Sequence, residues 1–235
     1  MNGENGLPRI SIVIPALNEA QWIAAALTAL SPLRERGHEV IVVDGGSGDD
    51  TVALALPRAD RVLIAPRGRA SQMNAGAQVA GGDVLLFLHA DTFLPQNADR
   101  IIGERLNATG RNWGRFDVRI EGRSCMLAVA GFLMNARSRM TGVATGDQAI
   151  FVRGSLFRTI GGFPPIALME DLAISRALNS RSAPICLRER VVTSGRRWER
   201  RGVIRTILKM WWLRLRYFFG EAPERLARGY DGIER

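Results

Sequence analysis

The chain has 235 residues, 46% hydrophobic and 23% charged, a globular composition that can bury a sizeable core and excludes a disordered segment. No run approaches 18 apolar residues and Met1–Arg9 lacks the basic-then-apolar pattern of a signal peptide, so neither a transmembrane helix nor a leader is expected. Cys125 and Cys186 stand alone, without metal or redox spacing, and a cytoplasmic location is the default expectation.

The formal charge is +9, with Lys209 the only lysine. That balance suits an anionic partner: a phosphorylated substrate, nucleic acid or an acidic membrane surface. The basic residues crowd the last quarter, from Arg188 and Arg190 through Arg196, Arg197, Arg200, Arg201 and Arg205 to Arg216.

Ile10–Ile14 reads as a strand ended by Pro15, and Glu19–Leu30 follows with alanine-rich helical character. Glu39–Val43 is a second buried strand ending at Asp44. Gly45-Gly-Ser-Gly48 turns the chain, and Asp49 or Asp50 caps a short helix over Thr51–Leu56. Arg61–Ala65 makes a third strand and Ser71–Val79 a helix, after a loop bearing arginines. Val84–Leu88 is a short apolar run, as in a strand buried on both faces of a parallel sheet. This alternation predicts an α/β fold over roughly residues 9–92, doubly wound, with a mainly parallel sheet and helices on both faces.

Beyond residue 92 the regularity breaks. Asn97–Leu106 is helical, Arg115–Ile120 alternates like a strand, and Ser124–Met140 reads as a longer helix. Ala149–Val152 is another short strand, Gly161-Gly-Phe-Pro-Pro165 a loop and Met169–Leu178 a helix. No repeat or linker interrupts the chain. The expectation is one domain over 9–200, with halves at 9–92 and 93–200, then a basic helical extension over 201–235.

Ligands of open α/β sheets gather at the carboxyl ends of the strands. Here three such ends carry polar groups: Pro15-Ala-Leu-Asn-Glu19, Asp44 and His89-Ala-Asp91. Carboxylates converging on one edge repel unless a cation or a hydrogen-bonded ligand offsets the repulsion. A hard cation at Asp91 could hold a diphosphate; the alternative is that Asp91 caps the helix near Asn97. The Gly45–Gly48 run has neither the lysine of a Walker loop nor the spacing of a dinucleotide fingerprint.

The ordered set Ile12-Val-Ile-Pro-Ala-Leu-Asn-Glu19, Val42-Val-Asp-Gly-Gly-Ser47, Asp50-Thr51, Met73-Asn-Ala-Gly76, Leu88-His-Ala-Asp-Thr92 and Met169-Glu-Asp-Leu172 resembles the family 2 glycosyltransferases, which have the nucleotide-sugar-binding GT-A fold. Within the family, the Gly-Arg-Ala-Ser-Gln-Met-Asn loop and the His-Ala-Asp pattern are similar to a compact bacterial branch linked to arsenosugar biosynthesis. The resemblance implies that Pro15, Ala16, Leu17, Glu19 and Ala90 line the nucleoside pocket, with Asp44 bonding the base or ribose. Arg69 would lie near the base or diphosphate. Asp91 would coordinate Mg²⁺ or Mn²⁺ bridging the diphosphate of a UDP- or GDP-linked donor. Asp171 matches the base that activates a hydroxyl acceptor, with Glu170 orienting the site; the alternative for both is simple helix N-terminal charge.

That chemistry suits those residue types. A departing nucleoside diphosphate builds negative charge that a metal and arginines stabilise, while a carboxylate takes the proton of a poorly nucleophilic hydroxyl. Direct attack opposite the leaving group inverts the anomeric carbon.

Two positions depart from the family pattern. His89 replaces the first acid of Asp-x-Asp; a neutral imidazole ligates Mn²⁺ better than Mg²⁺, or hydrogen-bonds a ribose, or else caps the strand end. Ser194 replaces the glutamine in Ser194-Gly-Arg-Arg-Trp198, which resembles the motif of processive members, so polymer export is not expected. Arg197 and Trp198 would bind diphosphate and stack on acceptor, or else pack at the surface. Gly146 and Asp147, in Thr145-Gly-Asp-Gln148, would touch acceptor or donor sugar, with Asp147 the second choice for a catalytic carboxylate.

From Ile204 to Phe219 the apolar residues Ile204, Ile207, Leu208, Trp211, Trp212, Leu215, Phe218 and Phe219 form one helical face, flanked by Arg205, Lys209, Arg214 and Arg216. Such a face lies in a membrane interface, at the inner leaflet and favouring a lipid-linked acceptor, or packs on the domain or on a second copy in a homodimer. Two rival functions remain. A nucleotidyltransferase would carry a glycine-rich basic loop where Pro15–Glu19 stands. A nucleic-acid-binding protein would show an aromatic stacking platform, and no specific nucleic acid is expected.

Overall fold

The computed structural model describes residues 6–231. Its strands are β1 (Ile10–Ala16), β2 (Glu39–Asp44), β3 (Arg61–Ile64), β4 (Val84–Phe87), β5 (Thr92–Phe93), β6 (Trp113–Glu121), β7 (Phe151–Arg153) and β8 (Ile185–Ser194). The helices are α1 (Ala20–Ala29), α2 (Ser31–Glu35), α3 (Thr51–Ala55), α4 (Arg69–Val79), α5 (Ala98–Thr109), α6 (Met126–Thr141), α7 (Gly154–Thr159), α8 (Glu170–Asn179), α9 (Arg196–Arg201), α10 (Val203–Phe218) and α11 (Pro223–Asp231).

One mixed sheet holds all these strands, in the order β3-β2-β1-β4-β7-β6-β8-β5. The first four are parallel, as the alternation predicts. From β7 onward the sheet changes character: β7 runs antiparallel to both β4 and β6, β6 and β8 are parallel, and β5 closes antiparallel on β8.

Side chains alternate across each strand, so both faces of the central sheet are buried. Ile12 and Ile14 of β1 face Ile23 and Leu27 of α1, in a core that also holds α5 and α6. Val13, between them, faces the opposite layer with Met73 of α4, Phe157 of α7 and Ile174 of α8. Helices on both faces make the sheet doubly wound.

The Met73-Asn-Ala-Gly76 segment fixes that second layer. Asn74 donates through Nδ2 to the Phe163 carbonyl at 2.8 Å and accepts from its N–H at 2.9 Å, so one side chain pins the 161–165 loop. Gly76 lets α4 lie directly on the sheet, because a Cβ there would meet Val13 Cγ1 at 2.4 Å and Val43 Cγ2 at 3.0 Å. Both valines are core side chains with nowhere to move. Gly76→Ala is therefore expected to destabilise the fold by about 1–3 kcal/mol through overpacking. A lower urea midpoint with an unchanged slope is the measurement that checks it; an unmoved midpoint would mean that α4 lifts off the sheet freely.

Several boundaries differ from the sequence expectation. The strand expected over Ala149–Val152 is Phe151–Arg153, because Ala149 takes a left-handed φ of 46° that no strand residue adopts. β5, α7 and β8 escape the pattern altogether. β8 does alternate, with Ile185, Leu187, Val191 and Thr193 buried, but its outer face carries Arg188 and Arg190, and charge conceals the strand. Asp49 rather than Asp50 serves α3, accepting the Thr51 N–H at 3.0 Å.

The carboxyl-terminal segment is helical: α9 leads into α10, and α11 follows. α10 packs on α6, and its Leu213 joins Leu226 of α11 in a small core with Met169 and Leu172. Of the apolar face read from the sequence, Ile204, Leu208, Trp211, Trp212, Leu215, Phe218 and Phe219 are exposed, and Ile207 turns inward. Among the described residues no helix is long and apolar enough to cross a membrane.

Candidate active site

The site forms where β1, β2 and β4 end. After Ala16 the chain turns through Asn18, whose left-handed φ of 53° suits a short polar side chain. The Asn18 N–H donates to Ser47 Oγ at 2.8 Å and its Oδ1 accepts from the Gly48 N–H at 2.9 Å. The loop after β1 is thereby fastened to the loop after β2. Asp44 completes this fastening: its carboxylate accepts the N–H groups of Gly46 and Ser47, each at 2.8 Å, and the Ser47 hydroxyl. Buried at 2% exposure, Asp44 shapes the loop, and its side chain is not among those lining the cavity.

The other expected nucleotide residues do converge. Pro15, Ala16, Leu17 and Glu19 from the end of β1 line a cavity of about 760 Å³, together with Arg69 of α4, Ala90 after β4 and Glu170 of α8. Gln72 braces its floor, its amide donating to the carbonyls of Ala16 and Val43 at 2.8 Å each.

Asp91 does not cap α5, whose first residue follows Asn97 in a left-handed conformation with no side-chain cap. It faces Arg196, whose Nη2 lies 3.6 Å from Asp91 Oδ2 while also bonding Glu19. The same guanidinium sits 5.2 Å above the Trp22 ring. One cation thus offsets two carboxylates on the sheet edge. β8 explains how a residue so distant arrives there: Thr193 pairs with Thr92, and the Ser194 N–H donates to the Asp91 carbonyl at 3.3 Å. The chain then enters α9 with Arg196, Arg197 and Trp198 already beside Asp91.

A second cavity, about 570 Å³, adjoins the first and shares Arg69, His89, Asp91 and Arg197 with it. Asp171, Asp147, Gly146 and Trp198 line this cavity alone. Its far wall is apolar, built from Leu133, Met134 and Met140 of α6 and Met210, Trp211 and Leu215 of α10.

At the junction, His89 Nδ1 lies 3.2 Å from Asp147 Oδ1. Burial would raise the Asp147 pKa, but the hydrogen bond from His89, with the positive fields of Arg69 and Arg197, holds it at about 2. The imidazole packs against Gly146, where a Cβ would come within 2.6 Å of Nε2. The Gly146 N–H in turn donates to Asp171 Oδ2 at 3.2 Å, and Asp171 Oδ1 accepts the Leu172 N–H at 2.8 Å. Both acids of the Glu170–Asp171 pair follow Met169, which holds a left-handed φ of 70°. Strain of this kind in a non-glycine residue persists where the surroundings enforce it. It turns Glu170 into the first cavity and Asp171 into the second. Burial pushes the Glu170 carboxyl above its ordinary value, adjacent Asp171 adds to this, and Arg69, 4.0 Å away, opposes it.

All expected site residues except Asp44 therefore line one cavity or both. Sequence reasoning missed Arg196, which only the β8 path brings to Glu19 and Asp91, and Arg137 and Arg214 of the second cavity. The doubled arginine in Gly195-Arg-Arg-Trp198 was the available signal for the first.

The profile described as Glycosyl transferase family 2 matches residues 11–127. The PGL/p-HBAD biosynthesis glycosyltransferase of Mycobacterium tuberculosis is 38% identical over 181 residues, covering 66% of this chain and 63% of that protein. An uncharacterised glycosyltransferase of the same organism is 29% identical over 117 residues, 44% of this chain and 52% of its own. The chain thus spans between 52% and 63% of the length of these curated relatives. Among solved structures, the mannosyltransferase PcManGT from Pyrobaculum calidifontis, in complex with GDP-Man and Mn²⁺, superposes with a TM-score of 0.60 at 21% identity, covering 82% of this chain and 58% of that one. The likeness shows that the fold is GT-A.

Proposed function

We propose that this chain, which belongs to the family 2 glycosyltransferases, moves a sugar from a nucleotide-diphosphate donor to a hydroxyl acceptor with inversion at the anomeric carbon. The observation that carries this reading is the pair of cavities meeting at His89–Asp91, with Glu19 on one side only and Asp171 on the other only. Donor and acceptor have separate approaches to one shared point. The nucleoside rests against Pro15, Ala16 and Leu17, and the diphosphate extends toward Asp91 and the arginines. Asp171, oriented by the Gly146 and Leu172 N–H groups, accepts the acceptor's proton as its oxygen bonds the anomeric carbon. The nucleoside diphosphate leaves from the opposite face with the bonding electron pair. Arg69 and Arg197 offset the charge that collects on it. Glu170 keeps Arg69 in place, and Asp147 orients His89.

A divalent metal supplies Lewis-acid stabilisation of the leaving diphosphate when bound. Among the described residues no three acidic, histidine or cysteine side chains form a metal cage. The donor set fits a cation that takes most of its ligands from the diphosphate, with Asp91 and His89 the protein's contribution. The Asp147 carboxylate on the far nitrogen of His89 is the usual partner of a ligating imidazole. One imidazole and one carboxylate suit Mn²⁺ better than Mg²⁺.

Family membership displaces the nucleotidyltransferase alternative. Calorimetric titration with UDP and GDP, each with Mn²⁺, Mg²⁺ or EDTA, tests the reading. One nucleotide is expected to bind in a metal-dependent way; binding of neither under any condition would remove the donor site.

A further inference from the structure

The second cavity holds two cations that the transfer chemistry above does not use. Arg137 of α6 and Arg214 of α10 both line it, alongside Asp171. The Nε and Nη2 of Arg137 and the Nε of Arg214 are buried without a hydrogen-bond partner. Burial first, then the fields of Arg214 and Arg115, lower the Arg137 pKa to about 10 against the opposing pull of Asp171. Both guanidiniums stay charged at neutral pH. Arg115, wholly buried, also leaves its Nε without a partner, but its guanidinium ion-pairs with Asp117, which Arg139 also holds, and that network braces β6 against α6. Arg137 and Arg214 brace nothing comparable. Buried like charges with open donors are costly unless an anion meets them.

The remainder of the cavity is apolar, and its walls continue onto the surface. Among the described residues, the large exposed hydrophobic side chains other than Leu56 and Ile64 lie on α6, on α10 or at Phe219 just beyond it, including Phe132, Met140, Trp211 and Phe218. A contiguous apolar surface of this kind marks a binding site rather than ordinary exterior.

Resting on the reading that Asp171 faces the acceptor, we propose that the acceptor is an anionic amphiphile, a phosphate-bearing lipid whose apolar chain lies between α6 and α10 and whose phosphate meets Arg137 and Arg214. Charge complementarity selects the phosphate, and the apolar walls select the chain. A free phosphate compound satisfies only the first and a neutral lipid only the second.

The test uses the full chain and three probes kept monomeric: a short-chain monoacylglycerol phosphate, the monoacylglycerol of the same chain, and glycerol phosphate. Binding is read from the fluorescence of the tryptophans in the cavity wall. The phosphorylated lipid is expected to bind about tenfold or more tightly than either comparison compound, the scale of a hydrogen bond to a charged group. Equal binding of the neutral lipid, or of glycerol phosphate, overturns the proposal. Arg137→Met is expected to erase the preference for the phosphorylated over the neutral lipid while the melting temperature holds or rises, because it removes buried donors that have no partner. A lowered melting temperature with the preference intact would make Arg137 a structural brace and end the proposal. Arg214→Met provides the same comparison from the other helix. UDP and GDP titrations run on the same preparations separate the two levels: nucleotide binding without lipid preference removes this proposal alone, whereas loss of both removes the donor site as well.

Discussion

Asp171→Asn is expected to lower kcat by about three orders of magnitude and to leave nucleotide affinity nearly unchanged, the pattern of a lost proton acceptor. The side chain touches only the second cavity, so the donor site has no contact to lose. The carboxamide is nearly isosteric and can still accept the Leu172 N–H, but it faces the Gly146 N–H with a donor or gives up that bond. It has no affinity for the acceptor's proton in either orientation. Asp147→Asn is the companion experiment. Its carboxylate is committed to His89, so its loss should weaken the positioning of the imidazole and cost activity by a smaller factor. If Asp147→Asn proved the more damaging of the two, the roles given to them here would be exchanged. Single-turnover transfer, or donor hydrolysis in the absence of acceptor, reads kcat separately from nucleotide binding.

The first half of the fold was legible because its signals are local. Three apolar runs with a turn and a helix between them specify parallel strands buried on both faces, and β1, β2 and β4 are those strands. The strand-end residues followed from the same rule, and Glu19, His89 and Asp91 do meet at the sheet edge. Asp44 shows where the rule stops. A strand end fixes the position of the backbone, but the Gly45–Gly48 turn curls back to occupy the carboxylate, and only the loop geometry reveals that.

What remained hidden is long-range. Arg196 reaches Glu19 across 177 positions of sequence, and it does so because β8 inserts between β6 and β5, a parallel-then-antiparallel pairing that no local pattern encodes. The amphipathic character of α10 was visible, but its orientation was not. The helix carries two overlapping apolar stripes, and the inner one, through Val203, Met210 and Leu213, meets the protein. Periodicity identifies a stripe without saying which neighbour it faces. The outer stripe, richer in tryptophan and phenylalanine, is left at the mouth of the second cavity, where the pattern alone suggested membrane contact or packing on a second copy.

Asp91→Ala is expected to abolish the metal-dependent part of nucleotide affinity, weakening apparent metal binding by about 100-fold or more, beyond the loss typical of an outer-shell partner. Among the described residues Asp91 is the carboxylate that lines both cavities, at the point where they meet. The fold itself should hardly notice. The Asp91 ion pair with Arg196 is long, at 3.6 Å, and Arg196 keeps its bond to Glu19, so removing the carboxylate leaves no orphaned charge behind. Binding and stability therefore separate cleanly in this variant. Calorimetry with Mn²⁺ and with EDTA should give the same weak nucleotide affinity for Asp91→Ala, and two different affinities for the wild type. His89→Ala sorts the remaining possibilities for the imidazole: as a ligand it would share the metal-specific loss, whereas as a strand-end cap it would lower the melting temperature and leave the Mn²⁺ dependence intact. Should Asp91→Ala retain full metal-dependent binding, the cation must be held by the diphosphate without help from the sheet edge, and the convergence of Glu19 and Asp91 would then exist to position Arg196.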